Sequence, residues 1–269
     1  MTACNHRQQY PASQKRTALI IDRTFRRNAV AISYVTNFET IDLQKPLLVI
    51  FPAVNSSPGF CLASYFAFNG NQEFNVIHII DNYGAHGSYF LTRMASEDMM
   101  DVLIDLLRRY VAPIQGSGRD IIFAGTSKGA SIALMAAGHF DNVHCVAGEP
   151  QIKLGEFLLD KDGFKNEASR SIAYSIRGTV SVDDREFFNT LILDRITANL
   201  PTWSSPVTVL AGATSGYLYW HIEHLMNEVE KHPGALPYFQ LRIGQYSSHN
   251  DVIDAFISAM QEIGITYRK

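Results

Sequence analysis

Cysteine is scarce in this chain of 269 residues, and the three that occur, Cys4, Cys61 and Cys145, are far apart. Their odd number and wide spacing argue against a disulfide framework and against a zinc site. The polar N-terminal segment MTACNHRQQYPASQKR lacks the apolar stretch of a signal peptide. No window contains the roughly 18 uninterrupted apolar residues that a membrane span needs. We therefore expect a soluble, cytoplasmic protein whose cysteines are reduced thiols.

The sequence also lacks an excess of charge of either sign. Its net charge is −3, which argues against the basic surface of a nucleic-acid-binding protein. Hydrophobic residues make up 46% of the chain and charged residues 18%, as is ordinary for a globular protein. The length suits one large domain or two small ones. We expect a single domain over residues 1–269 and no nucleic-acid partner.

Apolar segments with the character of buried strands alternate with helical patterns along the chain. The predicted strands are TALIID, AVAISYV, PLLVIF, NVIHII, DIIFAG, NVHCVAG, PVTVLAG and PYFQLRIG. The predicted helices are SEDMMDVLIDLLRRYV, KGASIALMAAGHF, YWHIEHLMNEVEK and DVIDAFISAMQEIG. Such repeated alternation predicts an α/β fold, with a mostly parallel sheet and helices on both of its faces.

Residues 151 to about 205 interrupt this alternation, because they contain no convincing strand pattern. Three short helical patterns occupy the segment instead: KLGEFLLDKDGF, NEASRSIAYSIRG and DDREFFNTLILDRITANL. An insertion between two strands of the sheet lies where a cap over a site would be. We expect a helical cap insertion at about 151–205. The alternative is a helical segment that only enlarges the core.

Ser127 lies between two glycines where a strand pattern changes into a helix pattern, in IIFAGTSKGASIALMAAG (121–138). In that context the pattern G-x-S-x-G is typical of a nucleophile held on a sharp turn between a strand and a helix. The amide N–H groups at the start of the helix would face negative charge that develops there. Ser127 is therefore the candidate nucleophile. The alternative is a serine that only forms a turn and caps a helix.

A serine hydroxyl needs a base to accept its proton, and His249 in GQYSSHNDVIDAF is the candidate. It follows the last strand pattern and precedes the last helix pattern, as the order Ser, acid, His requires. The alternative for this segment is a simple helix cap. His221 and His224 share a helix but have no evident third metal ligand, and His78 falls inside a strand. We therefore predict no metal site.

Four short motifs resemble, in the same order, those of α/β-hydrolase-fold polysaccharide O-acetyltransferases. This family includes capsule O-acetyltransferases and, more distantly, the O-acetyltransferase component of accessory Sec systems. The motifs are AHGSYFLT (85–92), GTSKGA, GEPQIKLGEF (148–157) and SHNDVI. The resemblance implies an α/β-hydrolase fold in which Ser127 carries an acetyl group and His249 is the base. It also implies acetyl-CoA as the donor and a sugar hydroxyl as the acceptor.

The family places its catalytic aspartate after the seventh strand, where this chain has AGATSGYLYWHIEH and no acid before Glu223. Three alternatives remain open for the partner of the histidine. Glu223 reaches back from its helix, Glu149 supplies the carboxylate from the preceding strand end, or a neutral group orients the imidazole. We favour Glu149, because the sites of parallel sheets form at the carboxyl ends of strands. The alternative for Glu149 is an exposed turn residue.

The oxyanion formed during acyl transfer needs two backbone donors. We expect the first to be the N–H of Lys128. The second should come from the loop after LLVIF, at Ala53 or Val54, and Val54 is the residue that we select. The Lys128 side chain is expected to be solvated at the helix start. Its alternative role is to attract an anionic donor or acceptor, such as the phosphates of CoA or a charged glycan.

Two enzymatic functions share the first half of this chemistry. In one, Ser127 passes an acetyl group from acetyl-CoA to a hydroxyl of a bacterial polysaccharide. In the other, water removes the acyl group, and the protein is an esterase or a thioesterase. A third function, a non-catalytic partner of a glycan or secretion machine, is favoured by the missing acid after the seventh strand. Association with such a membrane-bound complex and self-association as a homo-oligomer are left open.

Overall fold

An eight-stranded sheet organises the protein in a computed structural model that describes residues 19–54, 63–94, 97–179 and 181–265. The strands are β1 (Ile21–Arg27), β2 (Val30–Thr36), β3 (Leu47–Ile50), β4 (Asn75–Ile80), β5 (Ile121–Thr126), β6 (His144–Gly148), β7 (Val207–Gly212) and β8 (Phe239–Gly244). The helices are α1 (Met99–Gly116), α2 (Lys128–Ala137), α3 (Leu154–Leu158), α4 (Glu167–Arg177), α5 (Arg185–Thr197), α6 (Glu223–Glu230) and α7 (Val252–Glu262).

Shorter elements connect these strands and helices. Short 3-10 turns span Phe66–Gly70, Val182–Asp184, Leu200–Thr202, Leu236–Tyr238 and His249–Asp251, and one π-helical turn spans Leu218–Ile222. Two-residue strands form two small antiparallel ribbons, Arg93–Met94 with Glu97–Asp98 and Leu159–Asp160 with Gly163–Phe164. The π-helical turn directly precedes α6, and such turns occur frequently at functional sites.

Seven of the eight strands run in one direction. The order across the sheet is β1-β2-β4-β3-β5-β6-β7-β8, and β2 alone is antiparallel to its neighbours β1 and β4. The carboxyl ends of the parallel strands therefore meet at one edge of the sheet, which is the edge where α/β proteins form their sites. The predicted mostly parallel sheet is confirmed.

Two hydrophobic clusters lie on opposite faces of the sheet. Alternate residues of a strand point to opposite faces, and β3 divides its side chains accordingly. Leu47 and Val49 join the larger cluster, which includes α1 and α2, whereas Leu48 and Ile50 join the cluster that includes α7. The uninterrupted apolar run of β3 is explained by burial on both faces. The prediction of helices on both faces is also confirmed.

The first strand lies further along the chain than its apolar pattern predicts. TALIID was expected to be a strand, but β1 begins at Ile21 and continues through Arg27. Its register with β2 runs from the pair Ile21 and Thr36 to the pair Arg27 and Val30. β1 is an edge strand with alternating exposure, so polar residues occupy its open face. Residues 17 and 18 of the predicted segment lie outside the described residues.

The segment between β6 and β7 contains the three predicted helices, α3, α4 and α5. It also contains the small ribbon of Leu159–Asp160 and Gly163–Phe164, which the sequence pattern did not predict. Two-residue strands are too short to produce a recognisable alternation of apolar and polar residues. The role of this insertion as a cap over the site stays a prediction.

The sequence analysis expected reduced cysteines and no membrane-spanning segment. Cys145 is a free thiol buried in β6, whereas Cys4 and Cys61 lie outside the described residues. Burial raises the pKa of the Cys145 thiol. Within the described ranges, no helix combines the length and the apolar character that a membrane crossing requires.

Candidate active site

Ser127 occupies a strained turn between β5 and α2. Its backbone angles, φ 56° and ψ −120°, lie in a region that residues other than glycine rarely adopt. The Ser127 N–H donates to the carbonyl oxygen of Gly148 at 2.8 Å, which joins the turn to the end of β6. The serine side chain forms no capping hydrogen bond with α2. The turn therefore presents a hydroxyl at the edge of the sheet rather than a helix cap.

The two glycines of the turn are required because backbone segments approach each other closely here. A Cβ atom on Gly125 would lie 2.5 Å from the carbonyl carbon of Gly129. A Cβ atom on Gly129 would lie 2.5 Å from the carbonyl oxygen of Phe51. Only glycine permits these approaches without a shift of the backbone. The end of β3 can therefore pass beside the first turn of α2, which brings the loop after Phe51 near Ser127.

Glu149 and His249 form a hydrogen-bonded pair in which the carboxylate is buried and the imidazole is partly exposed. Glu149 directly follows β6 and is fully buried. Its Oε2 accepts a hydrogen bond from Nδ1 of His249 at 2.6 Å, and its Oε1 accepts one from the N–H of Gly212 at 3.1 Å. Because the carboxylate engages Nδ1, Nε2 is the ring nitrogen left to accept a proton.

The segment that carries His249 also carries a helix cap, and the two features belong to different residues. The hydroxyl of Ser248 accepts a hydrogen bond from the N–H of Asn250 at 3.3 Å. His249 itself is half-buried and directs its ring toward Glu149. The presence of a cap in this segment therefore does not remove the imidazole from the site.

The geometry brings Glu149 rather than Glu223 to the imidazole. Glu223 begins α6 and is exposed. Glu149, on the neighbouring strand end, is the acid that contacts His249. Although no acid follows β7, the histidine therefore still has a carboxylate partner. The missing acid after β7 favoured a non-catalytic protein, but the end of the adjacent strand supplies an acid in its place. The catalytic role of Glu149 stays a prediction.

Tyr217, in the loop after β7, is a site residue that the sequence analysis missed. Its ring stacks on the imidazole of His249, with ring centroids 3.9 Å apart and an interplanar angle of 7°. Its hydroxyl oxygen accepts a hydrogen bond from Nε2 of Gln151 at 3.1 Å. Burial and the Glu149 carboxylate raise the pKa of Tyr217. Tyr217 therefore covers one face of the candidate base and is joined by Gln151 to the segment after β6.

Gln151 and Tyr89 connect two separate segments of the chain beside Tyr217. The hydroxyl of Tyr89 donates a hydrogen bond to Oε1 of Gln151. The backbone of Gln151 exchanges two hydrogen bonds with the hydroxyl of Ser131 in α2, at 2.8 and 2.9 Å. Both Tyr89 and Gln151 lie in motifs that carry the family resemblance, which was the signal available for them in the sequence.

Lys128 is fully buried, so the expectation of a solvated side chain at the helix start is wrong. Its Nζ lies 3.1 Å from Oδ2 of Asp81 and 3.4 Å from the carbonyl oxygen of His86. Asp81, directly after β4, also accepts hydrogen bonds from the N–H groups of Ser88 and Tyr89 at 2.7 and 2.8 Å. A buried ammonium needs such a partner. The ammonium therefore binds the interior of the protein and not the phosphates of an anionic donor.

The loop after β3 lies close enough to α2 to supply an oxyanion donor. The N–H of Ala53 donates to the hydroxyl of Ser64 at 2.8 Å and already has a partner. This bond favours Val54 over Ala53 as the second donor, beside the N–H of Lys128. The roles of Val54 and Lys128 in an oxyanion hole stay predictions. Residues 55–62, which follow, lie outside the described residues.

His221 and His78 are buried in the protein. The N–H of Lys153 donates to Nδ1 of His221 at 3.1 Å, and burial lowers the pKa of His221 to about 3. Nδ1 of His78 donates to the carbonyl oxygen of Ser64 at 3.1 Å, and burial lowers its pKa to about 4. In the part of the chain that the structure describes, no three or more His, Cys, Asp or Glu side chains are grouped to hold a metal ion.

The strand order, the sharp turn at Ser127 after β5 and the histidine after β8 define an α/β-hydrolase fold. This class was implied by the resemblance of the four sequence motifs, and it is confirmed. A comparison with protein-family models finds no match, and a comparison with curated proteins finds none either. The comparison with solved structures does find similar proteins.

Three solved structures illustrate this similarity. A chain of the Gap123 glycosylation-associated complex from Streptococcus agalactiae is 17% identical, with a TM-score of 0.66, over 90% of this chain and 46% of that one. A mutant of the capsule O-acetyltransferase of Neisseria meningitidis serogroup A in complex with CoA is 15% identical, with a TM-score of 0.64, over 90% and 94%. An esterase of Pyrococcus furiosus is 14% identical, with a TM-score of 0.54, over 92% and 89%.

These likenesses concern the fold. The chain spans less than half the length of the streptococcal chain and most of the length of the other two. Both resemblances that the sequence motifs indicated, to capsule O-acetyltransferases and to a component of a larger complex, are confirmed at this level. Fold alone does not determine the reaction, which depends on the residues of the site.

Proposed function

We propose that the protein is a serine acyltransferase that moves an acetyl group from acetyl-CoA to a hydroxyl of a bacterial glycan. The observation that carries the proposal is the hydrogen-bonded pair of Glu149 and His249, together with Ser127 on its strained turn, whose N–H donates to the carbonyl oxygen of Gly148 next to Glu149. The likeness of fold to a capsule O-acetyltransferase in complex with CoA supports the choice of donor and acceptor. The likeness to a chain of a glycosylation-associated complex supports association with glycan-modifying machinery.

In the first half of the reaction, Oγ of Ser127 attacks the carbonyl carbon of the acetyl group. Its proton passes to Nε2 of His249, while the Glu149 carboxylate holds Nδ1–H and stabilises the imidazolium. The N–H groups of Lys128 and Val54 stabilise the oxyanion. The bond between carbon and sulfur then breaks, and the CoA thiolate leaves with the proton from His249. The product is an acetyl ester on Ser127.

In the second half, a glycan hydroxyl gives its proton to His249 and attacks the ester carbonyl. The bond to Ser127 breaks, and Oγ regains a proton from the imidazolium. Water in place of the glycan would give hydrolysis, so the transferase and the esterase differ only in the acceptor. The test must therefore measure both the donor and the acceptor.

The first experiment mixes the protein with acetyl-CoA alone and records free CoA and intact mass. We expect a burst of free CoA near one equivalent, slow turnover afterwards, and an acetyl adduct on Ser127. Ser127→Ala should abolish the adduct and lower turnover by roughly 10⁴- to 10⁶-fold, because no other group supplies the nucleophile. A Ser127→Ala variant with near wild-type turnover contradicts the proposal.

The acceptor is tested by adding bacterial polysaccharides and, in parallel, an aryl acetate. Faster CoA release together with acetylated glycan supports the transferase. Rapid hydrolysis of the aryl acetate with acetyl-CoA left intact supports the esterase. If Ser127 reacts with neither donor in the folded protein, the non-catalytic alternative replaces both.

A further inference from the structure

One hydrogen bond does not fix the plane of the His249 imidazole. Nδ1 donates to Oε2 of Glu149 at 2.6 Å, which places that nitrogen. The ring can still tilt about this bond, and a tilt changes the direction in which Nε2 points. The side chain is 30% exposed, so the protein does not enclose the ring on all sides. A base that acts on one particular proton therefore needs a second contact to set its plane.

The ring of Tyr217 supplies this second contact. It stacks on the imidazole of His249, with ring centroids 3.9 Å apart and an interplanar angle of 7°. A tilt of the imidazole would push one of its edges into the phenol ring and lift the other edge away from it. Tyr217 follows β7 and Glu149 follows β6, so the imidazole is held from two neighbouring strand ends.

Tyr217 is itself held by three contacts. Its hydroxyl oxygen accepts a hydrogen bond from Nε2 of Gln151 at 3.1 Å, and the hydroxyl of Tyr89 donates to Oε1 of the same amide, which directs the amide nitrogen at Tyr217. Its ring packs against that of His221 at a centroid distance of 5.0 Å. Its N–H donates to the hydroxyl of Ser215 at 3.3 Å. The phenol cannot move aside without breaking these contacts.

Gln151 connects this ring to the helix that starts at the candidate nucleophile. Its N–H donates to the hydroxyl of Ser131 at 2.8 Å, and its carbonyl oxygen accepts from the same hydroxyl at 2.9 Å. Ser131 lies in α2, and its N–H donates to the carbonyl oxygen of Ser127 at 3.2 Å. One buried glutamine thus joins the turn of Ser127 to the ring that covers His249.

We propose that Tyr217 and Gln151 are positioning residues, which fix the imidazole plane of His249 relative to Ser127. This role rests on the proposed acyl-transfer function, in which Nε2 accepts the proton of Ser127 and later returns it. Tyr217 and Gln151 act through the imidazole and keep their own protons. Their effect on the rate follows from geometry, because a displacement of about 1 Å in a reacting group can cost roughly a hundredfold.

The test measures how fast Ser127 reacts with a fluorophosphonate probe, a reaction that needs no natural substrate. Oγ attacks phosphorus, fluoride leaves, and His249 accepts the proton. Tyr217→Leu removes the stacked ring and should slow labelling roughly a hundredfold. Tyr217→Phe keeps the ring and loses only the bond to Gln151, so it should slow labelling less than about tenfold. A phenylalanine variant no faster than the leucine variant overturns the role of the stacked ring.

The matched control is Tyr219→Leu, the same change at a tyrosine that is 55% exposed and two residues away. It should label at the wild-type rate, and equal rates in Tyr219→Leu and Tyr217→Leu overturn the proposal. Gln151→Met tests the second positioning residue. Combined with Tyr217→Phe, it should slow labelling no more than Gln151→Met alone, because both changes remove the same hydrogen bond. Multiplied effects would remove Gln151 from the role.

A residue that acts through the imidazole has no effect once the imidazole is gone. His249→Ala should leave a slow residual labelling of Ser127, and adding Tyr217→Leu should not slow it further. A general disturbance of the site would slow the residual reaction as well. Further slowing in the double variant therefore overturns the positioning role.

Proton magnetic resonance tests the stack in the wild-type protein, and so it stays decisive if Tyr217→Leu does not fold. The ring current of Tyr217 should shift the ring protons of His249 upfield of those of a free histidine, with His249→Ala identifying the signals. Absence of this shift in the folded protein contradicts the proposal.

The labelling experiment also separates the two proposals. Wild-type protein labelled at Ser127, with Tyr217→Leu labelled equally fast, overturns the positioning role alone. Wild-type protein that the probe does not label at Ser127 contradicts the acyl-transfer function, and the role of Tyr217 and Gln151 with it.

Discussion

A single carboxylate, one strand away from the expected position, contacts the histidine of this site. β6 and β7 are neighbours in the sheet, so their carboxyl ends lie together. Gly212, at the end of β7, donates its N–H to Glu149. The strand end where the family carries its acid therefore binds an acid that arrives from β6. Glu149 reaches this position with a positive φ of 45°, a conformation that is unfavourable for a glutamate and that its buried contacts maintain.

Glu149→Gln tests this residue with little change in shape. An amide cannot stabilise the imidazolium and favours the wrong tautomer of His249, so turnover should fall by roughly 10³- to 10⁴-fold. Release of CoA and labelling of Ser127 by a fluorophosphonate probe measure the effect, and thermal melting verifies the fold. Glu223→Gln makes the same chemical change at an exposed glutamate and should be nearly silent.

The opposite pattern would move the acid to the start of α6. Near-full activity in both glutamine variants would mean that a neutral group orients the imidazole. Either result would leave the contact between Glu149 and His249 as a structural one.

At the scale of elements, a buried ion pair fastens the loop after β4 to the first turn of α2. The side chains of Lys128 and Asp81 are both fully buried. Tyr89 and Phe90 in this loop have positive φ values of 59° and 55°, which cost of order 1–3 kcal/mol each. Asp81 offsets part of this strain because its carboxylate accepts hydrogen bonds from the loop N–H groups. The pair therefore holds the loop that presents Tyr89 to Gln151.

Lys128→Met should destabilise the protein by about 3–5 kcal/mol, because it leaves the Asp81 carboxylate buried without its cation. The double variant Lys128→Met with Asp81→Asn removes both charges and keeps an acceptor for the loop. It should recover part of the lost stability. Chemical denaturation measures the free energy of unfolding of each variant.

The control for this prediction is an ion pair on the surface. Lys231 and Glu228 lie 2.6 Å apart, but the lysine side chain is 63% exposed. Lys231→Met should change the free energy of unfolding by less than about 1 kcal/mol. A Lys128→Met variant as stable as Lys231→Met would mean that the buried pair does not hold the loop.

At the scale of the whole molecule, two buried histidines make stability depend on pH. Burial lowers the pKa of His78 to about 4 and that of His221 to about 3. Protonated His78 would place an N–H at Nε2, a buried atom without a hydrogen-bond partner. Protonated His221 would lose the hydrogen bond that Nδ1 accepts from Lys153. The folded protein therefore excludes these protons.

Stability should fall as the pH is lowered below about 6.5. The unfolded chain binds protons at these histidines from that pH downward, whereas the folded chain does not until about pH 4 or 3. The stabilising effect is thus present above the unfolded pKa and decreases on acidification, by about 2–3 kcal/mol per histidine near pH 4.5. Unfolding curves recorded between pH 7 and pH 4.5 measure this slope. His78→Leu should flatten it, and an unchanged slope would contradict the assignment.

Much of the fold can be predicted from the sequence, because buried parallel strands have a strong local signal. Runs such as PLLVIF are apolar on both faces and are bounded by turn residues, so all eight strands are recognisable. β1 lies further along the chain than predicted, because its extent depends on pairing with β2 and not on its own apolar pattern. The ribbon at Leu159–Asp160 also depends on a partner, Gly163–Phe164.

The sequence by itself determined the features whose cause is local. The turn at Ser127 needs glycines on both sides, and His249 needs only its place between the last strand and the last helix. Only the tertiary structure decided the partners of these residues. Glu149 and His249 are 100 residues apart in the chain, and Tyr217, after β7, stacks on His249, after β8, because these two strands are neighbours in the sheet. Hydrogen bonds and burial depend on distances in space, which the spacing along the chain does not record.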